Sequence, residues 1–320
     1  MFTTIRRPPY DPELEAALIA SGHPRITMTA EMLPMLRQSS PVDLTDDAME
    51  AAGVTRRDFM VKGFKGDEIC VSVLARADHA APGPGIFHIH GGGMVGCNRM
   101  TGMQAVLPWI VTHKAVAVTI DYRLAPEFPD PYPVEDCYAA LVWTVEQAGV
   151  LKIDTSRQLI VGISAGGGLA AGTALLARDR RGPRLTGQVL LCPMLDDCNQ
   201  TVSTKQFEGT GLWDRESNLM GWAALLGDRR GTDDVSIYAA PARAADLSGL
   251  PPAFIDCGSA ELFRDEDVAY AVALWQAGIQ AELHVWPGGF HGFDMIAPNS
   301  ALSQGAVAAR NAWVARHFKV

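Results

Sequence analysis

The sequence predicts an α/β protein with a mainly parallel β-sheet and helices on both of its faces. Short apolar runs closed by turn residues, typical of buried strands, alternate along the chain with segments of helical length. This alternation implies crossover connections, which make successive strands parallel and cover both faces of the sheet. The 320 residues are enough for one large domain of this kind or two smaller ones.

The individual elements are predicted from the same patterns, in chain order. Helix-forming residues occupy positions 12–20 and 28–37, on either side of a break at Gly22 and Pro24. Strands are predicted at residues 68–75, 85–90, 115–120, 158–162, 187–192, 253–257 and 281–286. Helices are predicted at residues 103–112, 134–148, 167–178, 265–277 and 303–318.

An aromatic and helical stretch at residues 197–235 interrupts this alternation. We predict that it joins residues 1–50 in a helical cap over the carboxyl ends of the strands, where open α/β sheets bind ligands. Residues 51–196 and 236–320 then form the α/β domain itself.

Composition and charge exclude several functional classes. With 48% hydrophobic and 20% charged residues, the chain is globular rather than disordered or fibrous. Its net charge of −9 disfavours binding to nucleic acid or to anionic membranes. The uncharged run at 159–177 approaches the length of a membrane span, but glycines clustered at 162–168 favour a buried strand, turn and helix instead.

The cysteines and the amino-terminal sequence bear on the cellular compartment. Six cysteines are scattered without a CxxC pair, which indicates neither a zinc site nor a disulfide framework. The first residues lack the apolar core of a secretory signal. We therefore expect a cytoplasmic protein without a membrane span.

The strongest chemical signal is the sequence Gly162-Ile-Ser-Ala-Gly166, which lies between a predicted strand and a predicted helix. A nucleophilic serine needs a hydroxyl raised on a sharp turn between a strand and a helix, and Gly162 and Gly166 relieve the crowding in such a turn. The N–H groups at the start of the helix favour developing negative charge. Ser164 is the candidate nucleophile.

A glycine-rich loop, His90-Gly-Gly-Gly93, directly follows the strand at 85–90. Acyl transfer creates an oxyanion, and rigid backbone N–H donors stabilise it best. Consecutive glycines such as Gly91 let the main chain approach that oxygen without a Cβ atom. This loop and the serine turn are together typical of the α/β-hydrolase fold. His88 and His90 form an HxH pair, but no further residue is spaced to complete a metal site, so we predict none.

In that fold the acid and then the histidine follow the serine along the chain. Of the histidines after Ser164, His284 lies mid-strand and His317 in the terminal helix, whereas His291 lies in a glycine-rich loop after the last strand. His291 is therefore the predicted base. The acid lies in the loop after the strand at 253–257, where Glu261 is preferred and Asp265 is the alternative.

Four ordered motifs give the chain a resemblance to the hormone-sensitive-lipase-like family of α/β-hydrolase esterases. They are His90-Gly-Gly-Gly-Met, Asp121-Tyr-Arg-Leu-Ala-Pro-Glu-Phe-Pro, Gly162-Ile-Ser-Ala-Gly-Gly, and Glu261-Leu-Phe-Arg-Asp-Glu followed by His291-Gly-Phe. The resemblance spans residues 80 to 295. The second motif is interpreted as shaping the fold rather than taking part in chemistry. The chain departs from the family at Glu261, where aspartate is usual, and at Ile163, where Asp or Thr is usual.

The resemblance implies an eight-stranded sheet, a helical cap and cofactor-free hydrolysis of short-chain carboxylic esters. It implies Ser164, His291 and Glu261 as the catalytic triad, with backbone oxyanion donors from Gly92, Gly93 and Ala165. We predict a carboxylesterase acting on small esters through an acyl-enzyme. Amide hydrolysis, acyl transfer to another alcohol and a ligand-binding protein on the same fold are the alternatives.

Two further expectations concern the surroundings of this site. Candidate walls of the substrate pocket are apolar residues of the glycine loop and the insertion: Met94, Val95, Phe207, Leu212 and Trp213. The last strand, at 281–286, is a candidate sheet edge through which a homodimer could form.

Overall fold

Eight β-strands form one sheet at the centre of the molecule, for which the computed structural model describes residues 5–22, 26–38 and 42–319. The strands are β1 Val54–Lys62, β2 Glu68–Arg76, β3 Gly83–Ile89, β4 Val116–Asp121, β5 Ile153–Ile163, β6 Gly187–Leu191, β7 Ala253–Gly258 and β8 Ala281–Trp286. Their order across the sheet is β1-β2-β4-β3-β5-β6-β7-β8. Strand β2 is antiparallel to both neighbours and all other pairs are parallel, which confirms the predicted fold class.

Helices cover both faces of this sheet. They are α1 Pro12–Ala20, α2 Leu33–Leu36, α3 Asp46–Ala51, α4 Leu107–His113, α5 Tyr132–Glu146, α6 Ala148–Leu151, α7 Ala165–Asp179, α8 Val202–Gln206, α9 Arg215–Leu226, α10 Arg264–Gln276, α11 Phe293–Ile296 and α12 Ala301–Phe318. Because successive strand residues point to opposite faces, Ile86 and Phe87 of β3 enter different apolar clusters. Helices α5, α7 and α10 pack on the Phe87 face, and α4 and α12 pack on the Ile86 face.

The edge strand β1 was not predicted as a strand. Of its nine residues, only Val54 and Val61 are buried, and charged side chains such as Arg56, Arg57 and Asp58 occupy its middle. An edge strand pairs on one side only and is often protected by charge, so it lacks the apolar pattern of a buried strand. Four of the first five residues of β5, at positions 154–157, are polar, so this strand begins earlier than the apolar pattern predicted.

The two segments predicted to form a cap contact each other and the loop that follows β3. The hydroxyl of Thr27 donates to Asp214, and the Met28 N–H donates to Ser217 Oγ over 2.8 Å. The Arg37 Nε–H donates to the carbonyl of Val95 over 3.0 Å. Residues 1–4, 23–25 and 39–41 of the first segment lie outside the described residues. The division of the chain into a cap and a catalytic domain stays a prediction.

Helix α3 differs from the rest of the amino-terminal segment. It packs against β1, and its Met49 is buried with Leu44, Val54 and Trp109 in the cluster on the Ile86 face of the sheet. The last part of residues 1–50 therefore packs against the α/β layers. Within the described residues, no helix has the length and hydrophobicity needed to cross a bilayer.

Candidate active site

Ser164 lies on a sharp turn between β5 and α7. Its backbone has φ 56° and ψ −123°, a conformation that non-glycine residues rarely adopt and that marks functional sites. The turn is held because the Ser164 N–H donates to Leu191 O over 2.8 Å, while Ser164 O accepts the N–H of Met194 over 2.9 Å. The side chain is nearly buried, and Ser164 directly follows the carboxyl end of β5.

The glycines on either side of Ser164 are required by close contact. A Cβ atom on Gly162 would lie 2.0 Å from the carbonyl oxygen of Gly166. A Cβ atom on Gly166 would lie 2.1 Å from the carbonyl oxygen of Ile89. The absence of both side chains lets the turn close and lets the start of α7 approach the end of β3.

His291 forms hydrogen bonds to both of its predicted partners. Its Nε2 lies 3.0 Å from Ser164 Oγ, and its Nδ1 lies 2.6 Å from Glu261 Oε2. The other carboxyl oxygen of Glu261 accepts the Gly258 N–H over 3.0 Å. A carboxylate at Nδ1 holds the proton on that nitrogen, so Nε2 presents its lone pair to the serine hydroxyl.

The alternative acid, Asp265, points elsewhere. Its two carboxyl oxygens accept the Ser203 N–H over 2.7 Å and the Arg264 Nε–H over 2.8 Å. Asp265 therefore links the start of α10 to α8 rather than contacting His291.

Buried acids lie behind Glu261. Burial is the main cause that raises the pKa of Glu266 and of Asp267 well above the usual range, with neighbouring carboxylates adding to it. Burial therefore favours the neutral form of both side chains. Glu261 differs from them in its partners, because it is the carboxylate that contacts His291.

The peptide groups of the glycine loop are fixed through their carbonyls. Gly91 O accepts the Nδ1–H of His90 over 2.8 Å, and Gly92 O accepts the N–H groups of Val95 and Gly96 over 3.1 and 3.0 Å. In a planar trans peptide the N–H points opposite to the preceding carbonyl, so the directions of the Gly92 and Gly93 N–H groups are set. Neither N–H donates a hydrogen bond to any described residue.

Tyr122 also contacts this loop, although the motif that contains it was interpreted as shaping the fold. Its hydroxyl lies 3.1 Å from His90 O and 3.3 Å from Gly91 O, and its ring stacks on the His90 imidazole at 4.2 Å between centroids. The sequence signal for Tyr122 was the Asp121-Tyr-Arg-Leu-Ala-Pro-Glu motif. Its pairing with residues 90 and 91 arises from the neighbouring positions of β3 and β4.

The predicted pocket residues divide into two groups. Met94, Val95 and Phe207 have at most 1% of their surface exposed, so they belong to the core and offer no surface to a substrate. Leu212 and Trp213 remain partly exposed. The Trp213 indole packs directly on Gly93, where a Cβ atom would lie 2.6 Å from the ring. As pocket walls, Leu212 and Trp213 stay predictions.

Among the described residues, three groups of side chains could offer ligands to a metal ion: Cys192–Glu261–His291, Asp196–Asp197–Cys198 and Cys257–Glu261–Asp267. The first and third both include Glu261, whose two oxygens already accept hydrogen bonds. In the second, Asp197 is already paired with Arg243. Within the described part of the chain, His88 and His90 belong to none of these groups. Burial is the main cause that lowers the pKa of His88 to about 3 and that of His90 to about 4.

The sequence matches a known protein family over the residues that form this site. The model of a family described as having the alpha/beta hydrolase fold matches residues 86–295. The chain belongs to this family. Within it, this α/β hydrolase falls in the hormone-sensitive-lipase-like group, as its four motifs predicted.

Several relatives of this α/β hydrolase are named as esterases. Carboxylesterase NlhH of Mycobacterium tuberculosis is 35% identical over 231 residues, which cover 69% of this chain and 71% of NlhH. Esterase LipI of the same organism is 31% identical over 72% of this chain and 73% of LipI. The solved structure of a bacterial heroin esterase superposes with a TM-score of 0.87, at 38% identity over 97% of this chain and 98% of that one.

Proposed function

We propose that this α/β hydrolase is a serine carboxylesterase that hydrolyses short- to medium-chain carboxylic esters through an acyl-enzyme. That it is a carboxylic ester hydrolase follows from its family and its esterase relatives. The triad, the oxyanion donors and the size of the acyl chain are the finer parts of the proposal.

Acylation begins when Ser164 Oγ attacks the ester carbonyl carbon. His291 Nε2 accepts the hydroxyl proton, and Glu261 stabilises the resulting imidazolium through Nδ1–H. The carbonyl oxygen becomes an oxyanion that accepts hydrogen bonds from the N–H groups of Gly92, Gly93 and Ala165. The tetrahedral intermediate then collapses, His291 returns the proton to the departing alkoxide, and the alcohol leaves.

Deacylation repeats this sequence with water. His291 removes a proton from a water molecule as it attacks the acyl carbon, and the same backbone donors stabilise the second oxyanion. Collapse of this intermediate breaks the bond to Ser164 Oγ, which recovers its proton from His291. The carboxylic acid is released and the enzyme is regenerated without a cofactor.

One observation carries the proposal: an unbroken set of hydrogen bonds runs from Ser164 Oγ through both nitrogens of His291 to Glu261. These residues are far apart in sequence, and a merely structural serine would not need an imidazole held by a buried carboxylate. The strained backbone of Ser164 adds to this support, because strain of this kind is retained where function requires it.

The decisive variant is Ser164→Ala. We expect it to fold as the wild type does and to lose release of nitrophenol from p-nitrophenyl butyrate by a factor on the order of 10⁴ or more, because the nucleophile is gone. Ser156→Ala is a matched control, since Ser156 is exposed and hydrogen-bonded only locally to Asp154. Turnover retained in the Ser164 variant would overturn the assignment.

Substrate scope is tested with nitrophenyl esters from acetate to palmitate. We expect kcat/KM to be greatest for short and medium chains, and highest activity on palmitate would contradict this.

The alternative functions have their own tests. Products formed with a competing alcohol or amine distinguish hydrolysis from acyl transfer, and an anilide substrate tests for amidase activity. Rapid covalent reaction with a serine-directed phosphonate excludes a simple binding protein.

Two finer expectations complete the proposal. All six cysteines are free thiols, which supports the cytoplasmic location that we propose. Strand β8 ends the sheet order and pairs only with β7 among the described strands, which supports a homodimer formed through that edge.

A further inference from the structure

The hydroxyl of Tyr122 is a feature of the site that takes no part in the acylation and deacylation steps. Tyr122 follows β4 directly, and only 2% of its surface is exposed. Its hydroxyl lies between the carbonyl oxygens of His90 and Gly91, at 3.1 and 3.3 Å. A buried polar group that makes two such contacts to one loop constrains the conformation of that loop.

The constraint acts on a particular peptide group. The Gly91 carbonyl and the Gly92 N–H belong to the same planar unit and point in opposite directions. Glycine has no side chain to limit rotation of this unit, so its orientation depends on what the carbonyl binds. His90 Nδ1–H, at 2.8 Å, and the Tyr122 hydroxyl hold that carbonyl on the side facing away from the N–H.

The hydroxyl is a dependable donor. Burial is the main cause that raises the pKa of Tyr122 well above its usual value, which favours the protonated hydroxyl. Stacking on the His90 ring, with centroids 4.2 Å apart and planes 12° apart, holds the phenol in place. The two donors to the Gly91 carbonyl therefore form one rigid unit.

We propose that Tyr122 is a positioning residue of the oxyanion hole: its hydroxyl anchors the Gly91 carbonyl and thereby directs the Gly92 N–H at the oxyanion. This inference rests on the proposed function, because it assigns a role in stabilising the tetrahedral intermediate. Tyr122 itself touches neither the substrate nor the reacting atoms. Its effect is on the transition state, where the Gly92 N–H must already be in place.

The test is Tyr122→Phe, which removes the hydroxyl and keeps the stacked ring. Loss of an oxyanion donor costs on the order of 10² to 10³ in rate, and a donor that is present but loosely held is expected to cost about tenfold in kcat. KM for p-nitrophenyl butyrate is expected to stay within about twofold, since ground-state contacts are unchanged.

Tyr270→Phe is the matched control. Tyr270 is also 2% exposed, but its hydroxyl has no hydrogen-bond partner among the described residues and lies on α10. Its removal is expected to leave kcat within about twofold. A loss of kcat in Tyr122→Phe no larger than that in Tyr270→Phe would overturn the proposal.

A second measurement separates positioning from a general loss of stability. A trifluoromethyl ketone forms an oxyanion hemiketal with the active serine, so its Ki in Tyr122→Phe is expected to rise by the same factor by which kcat/KM falls. Active-site titration with a phosphonate counts the folded enzyme in each preparation. A fall in kcat/KM with an unchanged Ki would show that Tyr122 does not act through the oxyanion hole.

A second variant guards against failure of the first to fold. His90→Phe removes the other donor to the Gly91 carbonyl and keeps a stacked ring. It is expected to lower kcat in the same way, and the double variant is expected to lose less than the product of the two single losses, because both groups hold one carbonyl. Fully multiplicative losses would contradict a shared anchor.

The failure of this inference can be distinguished from the failure of the proposed function. If the wild type itself does not hydrolyse esters, both are wrong. If the wild type is active and Tyr122→Phe is unaffected, only the inference is wrong.

Discussion

The Glu261 carboxylate shows how single residues set the chemistry of this site. Its two oxygens are divided between two donors, the Gly258 N–H at 3.0 Å and His291 Nδ1 at 2.6 Å. The backbone bond holds the carboxyl group still while the other oxygen faces the imidazole. Glutamate stands where the family usually has aspartate, and its longer side chain still reaches the histidine.

Replacing Glu261 by glutamine tests this arrangement. An amide has only one acceptor oxygen, so it can serve Gly258 or His291 but not both, and it carries no charge to stabilise the imidazolium. We expect kcat to fall on the order of 10³- to 10⁴-fold with the fold retained. The control is Asp265→Asn, which is expected to leave kcat within about threefold. The reverse outcome in assays of nitrophenol release would make Asp265 the acid.

At the scale of elements, the start of helix α9 joins the insertion to the amino-terminal segment and positions Trp213. Asp214 caps the helix by accepting the Ser217 N–H over 2.8 Å, and it also accepts the hydroxyl of Thr27. Trp213 immediately precedes this cap, and its Nε1–H donates to Asn218 Oδ1 over 3.3 Å. The placement of the indole on Gly93 therefore depends on how α9 begins.

Asp214→Ala removes the cap and its link to Thr27. We expect a loss of about 1–2 kcal/mol in the free energy of unfolding, and a higher KM because Trp213 is less well held. Thr45→Ala is the matched control, since Thr45 accepts the Ala48 N–H over 3.2 Å and so caps α3, which packs on β1. It is expected to lower stability without changing KM. KM and the free energy of unfolding in urea are measured for both variants. An unchanged KM in Asp214→Ala would show that the start of α9 has no part in substrate binding.

At the scale of the whole molecule, the sheet has two unlike edges. Charged side chains lie along β1, a common protection of free edges, whereas β8 exposes Val285 and lies beside Trp275 of α10, which are 38% and 46% exposed. The Trp275 Nε1–H donates to Ala281 O, so helix and strand form one continuous surface. Glu282 and His284 also lie on β8, and Glu282 is paired with Arg316. The exposed apolar side chains beside a strand that pairs on one side only support pairing with a second copy across a two-fold axis.

We expect the chain to run at twice its own mass in light scattering coupled to size-exclusion chromatography. Val285→Lys places a charge on the edge and is expected to give a monomer. Val150→Lys is the control, because Val150 is 72% exposed but lies on α6, away from β8. A wild type that is monomeric at micromolar concentration, or a Val285→Lys variant that stays dimeric, would exclude the β8 interface.

Features that depend on neighbours in sequence are predictable from the amino-acid sequence alone. Buried strands such as β3 and β6 were predicted because both faces of a parallel sheet are covered and their residues are therefore nearly all apolar. The sharp turn at Ser164 was predicted because a turn this crowded requires residues without side chains, such as Gly162 and Gly166. His291 was chosen because its loop follows the last strand. Strand β1 was missed since an exposed edge leaves no such pattern.

Features that depend on distant parts of the chain emerged from the folded arrangement. Either Glu261 or Asp265 could contact His291 as far as the sequence shows. Which one does so depends on the positions of β7 and α10 relative to the loop after β8. The burial of Met94, Val95 and Phe207 depends on what packs over them, and apolar character suits a pocket wall and a core equally well. The contact of Tyr122 with the Gly91 carbonyl exists because β3 and β4 are adjacent in the sheet. Short motifs identify the residues that can carry the chemistry, because they depend on neighbours in sequence. The hydrogen bonds between distant residues depend on how the strands and helices pack.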